Sequence, residues 1–457
     1  MGSPSADLAA FVAALRPDEV PAAALRSASV SLLDGVGVSL AASALGEGCD
    51  AFAALVLADG GAAEATVMGS GGRVPAASAA LANGAMGHAL DFEDSIDGVA
   101  VHPHAQVLPA VLALGEQRDL PGDRVLAAIA LGCDLTVRLG RVAGDRMSDR
   151  GWYPPPILGG IGAVAACAYL LGLGPRQVLD ALSLALMQIT ASGEIKHSPE
   201  SVIRGIRDGF AAQAAVRSAQ LAERGARGFD RPLEGEAGFL AAFAGAPDAA
   251  DTVVDGLGSS WAGVETSYKP WPSCRGTHAF VQAAIDARRG IAVDDIREVT
   301  LVGAPVNEML ARPLAAKQRP ATAIDAKFSL PFTVASALVH GEITLASFSP
   351  EALGSQPVLD VARRVRFVSD ESGRLGMTSG IMRIATASGT TEIAVDRPRG
   401  NPDDPLPIED LRAKFVSCAG QAVRPFAPGT AERIADEILA VGDAPGLREP
   451  LGRWLAA

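Results

Sequence analysis

The segment GHALDFEDSIDGVAVHPHAQVLP, residues 87–109, concentrates titratable side chains in a chain that is elsewhere rich in Ala, Gly, Leu and Val. It contains three of the six histidines of the protein, together with four carboxylates. Imidazoles and carboxylates move protons near neutral pH, and both also bind divalent metals. This composition therefore indicates an acid/base site, a metal site, or a polar loop whose carboxylates are only solvated.

The spacing of these groups favours the acid/base interpretation. The run PAASAALANGAMGHALDFEDS has helical character, so we expect His88 and Asp91 to share a helix face, with Ser95 one turn later. The following VHPH is expected to be extended, which would point His102 and His104 to one side. A metal held by these two histidines with His88 and Asp91 would match neither an HExxH motif nor a tight Cys/His pattern. We therefore expect a metal-free acid/base site in which Asp91 orients His102 or exchanges protons beside it.

Two further segments carry cations that are expected to bind an anionic ligand. In YKPWPSCRGTHAF, Lys269 and Arg275 precede a helix that we expect to begin near His278, and the positive end of the helix dipole would add to their charge. His278 is a candidate acid, although a capping or core histidine would occupy the same position. In AKQRPATAIDAKFSLPFTVASALVHG, Lys327 precedes a helix that starts near Pro331 and is expected to form part of a pocket wall.

A third segment, SVIRGIRDGFAA, places Arg204 and Arg207 one turn apart. Guanidinium groups bind carboxylates through two parallel hydrogen bonds, so this pair is a candidate for substrate binding. The alternative is an ordinary surface ion pair, since Asp208 follows Arg204 by four residues.

The overall composition limits the partners and the compartment. A net charge of -13 argues against nucleic acid or an anionic membrane as partner, because both require a basic surface, and any anion must be bound by local cations. Five scattered cysteines without a CxxC pair favour a reducing cytoplasm over a disulfide framework, an iron–sulfur cluster or structural zinc. The N-terminus lacks the basic region of a signal peptide. The uncharged stretch 151–175 is long enough to span a bilayer, but its prolines and glycines favour a helix buried in a protein core.

The pattern up to about residue 245 is helical. VLAAIALGCDLTVRLGRVAGDR (125–146) and SVIRGIRDGFAAQAAVRSAQLAERG (201–225) have apolar residues at helical spacing, and abundant Ala and Gly predict close helix-on-helix packing. From about 252 the sequence changes to short strand-like runs, namely DTVVDGL, VETSYKPWP, IREVTLVG, RRVRFVSD and the hairpin MRIATASGTTEIAVD.

Helical runs at 276–288 and 330–340 lie among these strands, and the tail after Pro405 is helical again. A chain of 457 residues is expected to form two domains. We therefore predict a mainly α fold, in which both chain ends (1–265 and 396–457) form a large all-helical domain and 266–395 form a smaller α+β lid domain.

The motif segments described above, taken together, resemble the MmgE/PrpD family, which includes 2-methylcitrate dehydratase and cis-aconitate decarboxylase. The resemblance spans roughly residues 10–440. The motifs that carry it are GHALDFEDS at 87–95, VHP at 101–103, PLEGEAGFLAAF at 232–243, KPWPSCRGTH at 269–278 and DAKFSLPFTVASAL at 325–338.

The resemblance implies the MmgE/PrpD fold, a homodimer, and catalysis without a metal or organic cofactor. In the decarboxylase branch the site residues correspond here to Asp91, Ser95, His102, Arg204 and His278, with a threonine in place of Ser95 and a lysine in place of Arg204 in those relatives.

This chain also departs from the family pattern around these positions. Arg204 and Arg207 stand where many relatives carry Lys-x-x-His, Tyr153 stands where many carry a histidine before a threonine, and His104 stands where a serine usually follows His-Pro. These departures argue against methylcitrate itself as the substrate.

The chemistry that the resemblance implies is proton movement at a carbon next to a carboxylate, which requires a positioned base, an acid and cations. We expect His102, tuned by Asp91, and His278 to transfer the protons. Ser95 would hydrogen-bond the substrate, and the cations that would bind its carboxylates are Arg204, Arg207, Lys269, Arg275 and Lys327.

The first expectation is therefore a cofactor-independent lyase that dehydrates a 2-methylcitrate-like 3-hydroxy polycarboxylate, with secondary metabolism as one setting. The alternatives are decarboxylation of a cis-aconitate-like acid, epimerisation of a dicarboxylate, and a non-catalytic binding protein that retains the fold.

Overall fold

The computed structural model describes residues 2–198 and 201–456, which form a mainly helical protein with small sheets. These residues divide into two compact units. The first unit comprises the chain up to Ala89, Glu93–Thr266, and the chain from Pro407 onward, and the second comprises Leu90–Phe92 and Ser267–Leu406. The second unit extends past the expected boundary at 395 because the backbone after its last strand bonds back to it.

The first unit is built of packed α-helices, and the predicted mainly α class is confirmed. Its short strands are β1 (Ala65–Thr66), β2 (Arg73–Val74) and β3 (Ser95–Ile96), while β4 (Thr266–Ser267) lies at the boundary in sequence. The helices up to that boundary are α1 (Pro4–Ala14), α2 (Ala22–Leu45), α3 (Cys49–Asp59), α4 (Ala76–Gly87), α5 (Pro103–Arg118), α6 (Gly122–Asp149), α7 (Pro154–Leu170), α8 (Pro175–Leu186), α9 (Ile203–Ile206), α10 (Asp208–Glu223) and α11 (Ala250–Val254).

Glycines set the distance between neighbouring helices of the first unit. α4 and α10 pack together where a Cβ atom on Gly84 would lie 2.7 Å from the Cα atom of Gly209. α6 and α7 pack together where a Cβ atom on Gly162 would collide with the carbonyl oxygen of Gly132 and the hydroxyl of Thr136. The abundance of small residues in the sequence therefore has a direct structural purpose, since it lets helix backbones approach closely.

Two apolar helices of the first unit are buried. All residues of α7 are buried, so the uncharged stretch after residue 151 is the core helix that we predicted. Within the described part of the chain, one helix is long and apolar enough to cross a membrane, and this is α2. Its most apolar window is 78% buried inside the protein, and α2 packs against α4 and α6.

The helix boundaries next to the histidines differ from the prediction. α4 ends at Gly87 and Asp91 has a φ of 49°, so His88 and Asp91 do not share a helix face. α5 begins at Pro103, which makes His102 its N-cap and places His104 in its first turn. A proline is favoured at the first position of a helix because its missing N–H needs no partner there. The predicted extended VHPH segment was therefore wrong.

Two other predicted elements are also corrected. The helix expected over 201–225 is divided at Arg207 into α9 and α10, with glycines at 205 and 209 beside the division. The run DTVVDGL, expected as a strand, contains helix α11. Its buried Val253 packs among helices of the first unit, where the predicted strand has no strand partner, and an isolated strand is not stable.

The second unit is an α+β unit built on a four-stranded sheet. Its strands are β5 (Glu298–Gly303), β6 (Val365–Ser369), β7 (Gly380–Ala385) and β8 (Thr390–Val395), in the spatial order β6-β5-β7-β8. Its helices are α12 (His278–Ala287), α13 (Leu314–Gln318), α14 (Ala323–Lys327), α15 (Leu330–His340), α16 (Pro350–Leu353) and α17 (Gln356–Ala362).

The sheet of the second unit follows the predicted strands. β5 pairs with β6 in parallel and with β7 antiparallel, and β7 and β8 form the predicted hairpin. A parallel pair needs a long crossover connection, which the helices between β5 and β6 provide. α12 and α15 pack on each other, and Phe280 and Phe332 are buried in the core of this unit.

The chain returns to the first unit as α18 (Ile408–Ala419), α19 (Thr430–Leu439) and α20 (Arg448–Trp454). α18 packs on α2, where Lys414 Nζ lies 2.6 Å from Asp34 Oδ1 and both side chains are buried. Removing one member of a buried ion pair leaves an uncompensated charge. The Lys414–Asp34 pair therefore holds α18 against α2.

A second buried ion pair holds the segment that follows α4 against α5. His104 Nδ1 lies 2.7 Å from Asp94 Oδ2, and both side chains are at most 3% exposed. Burial alone would lower the pKa of His104, but the Asp94 carboxylate, with Cys133 nearby, raises it well above its usual value. His104 is therefore a protonated partner of Asp94 at neutral pH.

Replacing Gly162 by Ala is expected to lower the free energy of unfolding by about 1–3 kcal/mol, because the new methyl group would force α6 and α7 apart. Gly144→Ala is the matched control, since that helical glycine has open space around its Cβ position and alanine favours the helix by up to ~1 kcal/mol. Thermal denaturation should give Gly144→Ala a Tm equal to or above that of wild type, and Gly162→Ala a Tm below that of wild type. Equal Tm values would contradict the close approach.

The His104–Asp94 pair is expected to make stability depend on pH. The folded pKa of His104 is raised, so its contribution is complete below the unfolded value of about 6.5 and is lost as the pH rises through the folded value. The difference in unfolding free energy between wild type and His104→Gln should therefore be larger near pH 6 than near pH 9. Denaturant titrations at the two pH values measure it, and a difference that does not change with pH would refute the charged pair.

Candidate active site

Two histidines of the first unit meet at one carboxylate. His88 caps the C-terminus of α4, and His102 caps the N-terminus of α5. Glu93 Oε1 lies 2.5 Å from His88 Nδ1 and 3.0 Å from His102 Nδ1, and the two imidazole rings are 4.7 Å apart between centroids. The carboxylate and His88 are each 1% exposed, whereas His102 is 18% exposed. His102 is therefore the member of this group that a ligand reaches most readily.

The hydrogen bonds of His102 fix the position of its ring proton. Its Nδ1 also lies 2.9 Å from the backbone oxygen of Asp94, in addition to its contact with Glu93. A carbonyl oxygen and a carboxylate oxygen only accept hydrogen bonds, so Nδ1 must carry the proton that is donated to them. In the neutral imidazole, Nε2 is consequently the nitrogen without a proton.

The same three side chains bring potential metal-binding atoms together. One donor atom each of His88, Glu93 and His102 lies within 4.8 Å of the others. Their short contacts run from both imidazoles to the same oxygen, which is the geometry of two hydrogen bonds to a shared acceptor. His104, which the metal alternative also used, is bound to Asp94 instead.

Cations of the first unit gather around Tyr153, which caps the N-terminus of α7. The Arg207 guanidinium lies 5.0 Å from the centre of the Tyr153 ring, and Lys196 Nζ lies 5.6 Å from it. Partial burial and the charge of Arg204 lower the pKa of Lys196. Burial and the charge of Arg207 lower the pKa of His88, against an opposing effect of Glu93. Burial has the larger effect on both pKa values, and the smaller effect of the neighbouring arginine in each case reflects positive potential, which attracts an anion.

Arg207 is partly engaged by the protein itself. Its guanidinium donates to the backbone oxygen of Arg204 and lies 3.7 Å from Asp208 Oδ2, while Gln106 Nε2 donates to the other oxygen of that carboxylate at 2.5 Å. The sequence suggests an ordinary surface ion pair between Arg204 and Asp208 as an alternative. Asp208 is buried and contacts Arg207. Ser95 is 4% exposed, and its hydroxyl has no hydrogen-bond partner among the described residues.

In the second unit, Asp91 forms a buried ion pair with Lys269. The ammonium donates to the Asp91 carboxylate and, at 3.1 Å, to the Asp91 backbone oxygen, and both side chains are at most 1% exposed. Lys327 Nζ donates to the backbone oxygen of Leu90 at 2.7 Å and is also buried. Both lysines thus hold the segment 90–92 within this unit. The suggested tuning of His102 by Asp91 stays a prediction, and the carboxylate at 3.0 Å from His102 is Glu93.

His278 is held between an acceptor and a cation. It begins α12, as predicted, and its Nε2 lies 3.1 Å from the backbone oxygen of Ser273. Arg275 donates to its Nδ1 at 3.3 Å and to the backbone oxygens of Arg399 and Pro398. Burial, with the charges of Arg275 and Lys269, lowers the pKa of His278 well below its usual value. His278 is therefore neutral at physiological pH, with both ring nitrogens in hydrogen bonds.

The predicted site residues thus fall into one group in each unit. His102, Ser95, Arg204 and Arg207 belong to the first unit, and the second-unit group is Asp91, Lys269, Arg275, His278 and Lys327. Sequence analysis missed Glu93 and Lys196. Glu93 was visible as one of three carboxylates in DFED, but the helical register drawn through that run favoured Asp91.

Comparison with known proteins agrees with this architecture. The MmgE/PrpD N-terminal domain matches residues 6–252, and the MmgE/PrpD C-terminal domain matches residues 271–439. The cis-aconitate decarboxylase-like protein oryM of Aspergillus oryzae is 27% identical over 450 residues, which cover 92% of each chain. The cis-aconitate decarboxylase of Aspergillus terreus is 26% identical and covers 91% of this chain and 89% of its own. The human cis-aconitate decarboxylase is also 26% identical, over 76% of this chain and 74% of its own.

The two domain matches follow one another in the order that the motifs predicted and together cover most of the chain. The chain belongs to the MmgE/PrpD family.

Proposed function

We propose that the protein is a lyase that removes CO₂ from a small, cis-aconitate-like polycarboxylate and then protonates the resulting carbanion. The observation that carries this proposal is the environment of His102. Its Nδ1 donates to the Asp94 backbone oxygen and lies 3.0 Å from the Glu93 carboxylate, so Nε2 is the nitrogen that we assign to proton transfer. The same unit also carries Lys196 and the arginine pair. Relatives that match over most of the chain are named as cis-aconitate decarboxylases, which supports the same chemistry.

The number of proton-transfer groups favours decarboxylation over dehydration. Dehydration needs a base for the carbon acid and an acid for the departing hydroxide, whereas decarboxylation needs one proton donor after CO₂ has left. His102 meets the second requirement through its Nε2. His278 is neutral and hydrogen-bonded at both nitrogens, so we propose that it positions Arg275 instead of donating a proton. Dehydration, the first expectation from the sequence, stays a prediction and requires a second acid.

The cations around Tyr153 supply the binding of carboxylates in this proposal. Arg204 and Arg207 carry permanent charge, and Lys196 extends the group toward solvent. Ser95 has a buried hydroxyl whose position suits a substrate hydrogen bond. We propose that the second-unit group of Lys269, Arg275 and Lys327 serves the same reaction, as the family resemblance implies.

We further propose that the protein acts as a homodimer in the cytoplasm. The described cysteines are free and buried, which suits a reducing compartment. Phe52 and Phe210 form an edge-to-face pair with centroids 5.4 Å apart, and Phe210 is 55% exposed, so this surface would gain from being covered.

Incubation with cis-aconitate and 2-methylcitrate, followed by mass spectrometry of the products, is expected to show loss of CO₂ from the former. His102→Ala should lower kcat by about 10²–10⁴-fold, because the proton donor is lost. His340→Ala, at an exposed histidine that ends α15, is the control and should retain full activity.

The other outcomes separate the alternatives. Loss of water would establish the dehydratase, and inversion without mass change would establish an epimerase. Binding without turnover, and without exchange of substrate protons for deuterium in D₂O, would establish a non-catalytic protein. A His102→Ala variant with normal kcat on the true substrate would refute the assigned proton donor.

Lys196→Met is expected to raise KM by about fivefold with little change in kcat, because an exposed ion pair contributes up to ~1 kcal/mol to binding. Lys196→Arg keeps the charge and should keep a KM near that of wild type. The KM of wild type should also rise with salt more steeply than that of Lys196→Met. Steady-state kinetics at two ionic strengths measure this, and an unchanged KM in Lys196→Met would remove Lys196 from the binding site.

A further inference from the structure

Glu93 occupies a position that a solvated surface carboxylate would not have. It is 1% exposed in the first unit, in the segment between α4 and α5, and its Oε1 contacts the Nδ1 atoms of both His88 and His102. Burial of a carboxylate is costly unless hydrogen bonds compensate for the lost water. Two donors on one oxygen provide that compensation, so the two imidazoles and the carboxylate form one polar unit.

We propose that Glu93 is a positioning residue for His102. Together with the Asp94 backbone oxygen it holds the proton on Nδ1, and this makes Nε2 the nitrogen that exchanges protons with the substrate. This inference rests on the proposed function only for the identity of the reaction. The placement of the protons rests on the geometry alone, because both neighbours of His102 Nδ1 are acceptors.

His88 makes this arrangement specific. Its Nδ1 donates a hydrogen bond to Glu93, and its side chain is almost fully buried. Burial and the charge of Arg207 lower the pKa of His88, so it stays neutral. The negative charge of Glu93 is therefore not cancelled by His88 and remains to stabilise the imidazolium form of His102. The role of His88 is to orient Glu93 without competing for its charge.

A matched carboxylate in the same unit provides the control. Glu116 is buried to the same degree and accepts hydrogen bonds from the backbone and the hydroxyl of Thr66, each at 2.7 Å. Its replacement by glutamine removes a buried negative charge just as Glu93→Gln does, but its hydrogen-bond partners contain no imidazole. An effect seen in both variants would come from the loss of a buried charge. An effect seen in Glu93→Gln alone would come from the contacts of Glu93 with the two histidines.

The experiment is long-range ¹H–¹⁵N NMR of the full chain labelled at histidine, with kinetics on the same samples. In wild type without substrate, His102 is expected as the Nδ1–H tautomer at high pH. Glu93→Gln keeps an acceptor but removes the charge, so the tautomer should persist. The pKa of the His102 imidazolium should fall, so the alkaline limb of the kcat profile, where the proton donor is lost, should move to lower pH. Glu93→Ala removes both and leaves only the Asp94 backbone oxygen to hold the Nδ1 proton. The population of the Nδ1–H tautomer should therefore fall, and kcat should fall on the order of 10²-fold, with KM nearly unchanged. Glu116→Gln should leave the histidine spectrum and the pH profile as in wild type.

Several results would overturn the proposal. An Nε2–H tautomer of His102 in wild type would do so, as would a Glu93→Ala variant with unchanged tautomer and kcat. A divalent metal retained by the purified protein and bound to these imidazoles would also overturn it, since ligand nitrogens would then shift in the ¹⁵N spectrum. If Glu93→Ala does not fold, the wild-type spectrum and the conservative Glu93→Asp variant, which should restore most of kcat, still decide the question. The spectrum needs no substrate, so it tests Glu93 even if decarboxylation is refuted.

Discussion

The candidate site depends on one carboxylate oxygen, Glu93 Oε1, which lies within 3.0 Å of the Nδ1 atoms of two imidazoles. This arrangement can form only if α4 stops at Gly87 and α5 starts at Pro103, because those ends bring His88 and His102 to the same oxygen. A continuous helix through this segment would separate side chains five residues apart onto different faces. The hydrogen bonds of the buried polar groups therefore determine where the helices end, and the packing of α4 against α5 keeps those ends in place.

The charges of the protein are distributed so that its cations act in two different ways. The chain as a whole is acidic, with a net charge of -13, so an anion is attracted only where cations are concentrated. In the second unit, Lys269 is buried and paired with Asp91, and its charge serves the structure of that unit. In the first unit, Lys196 and Arg207 lie over the ring of Tyr153, and partial burial together with the charge of Arg204 lowers the pKa of Lys196. The second arrangement is the one suited to a ligand that arrives and leaves.

Sequence periodicity predicted the elements whose patterning and packing agree, such as the hairpin of β7 and β8, the helix that begins at His278, and the buried α7. It failed where tertiary contacts override local preference. The β-branched run DTVVDGL is helical because helices surround it, and α4 ends early because Glu93 must reach His88. His102 could be selected from its type and its position before a proline. Glu93 could not, because four carboxylates in one segment are equivalent until the backbone assigns each a direction.

The departures of this chain from the family pattern become interpretable once the contacts are known. Tyr153 and Arg207 stand where many relatives carry histidines, and here they stack on each other. A guanidinium offers permanent charge and several hydrogen-bond donors, and a phenol offers a hydroxyl that can donate and accept, so these two positions contribute different groups from an imidazole. Burial, together with the charge of the same guanidinium, lowers the pKa of His88. In the proposed function, proton transfer in the first unit therefore falls to His102, because its neighbours at positions 153 and 207 are no longer imidazoles. A reaction with one proton-transfer step needs no more than that, whereas one with two must find its second donor elsewhere.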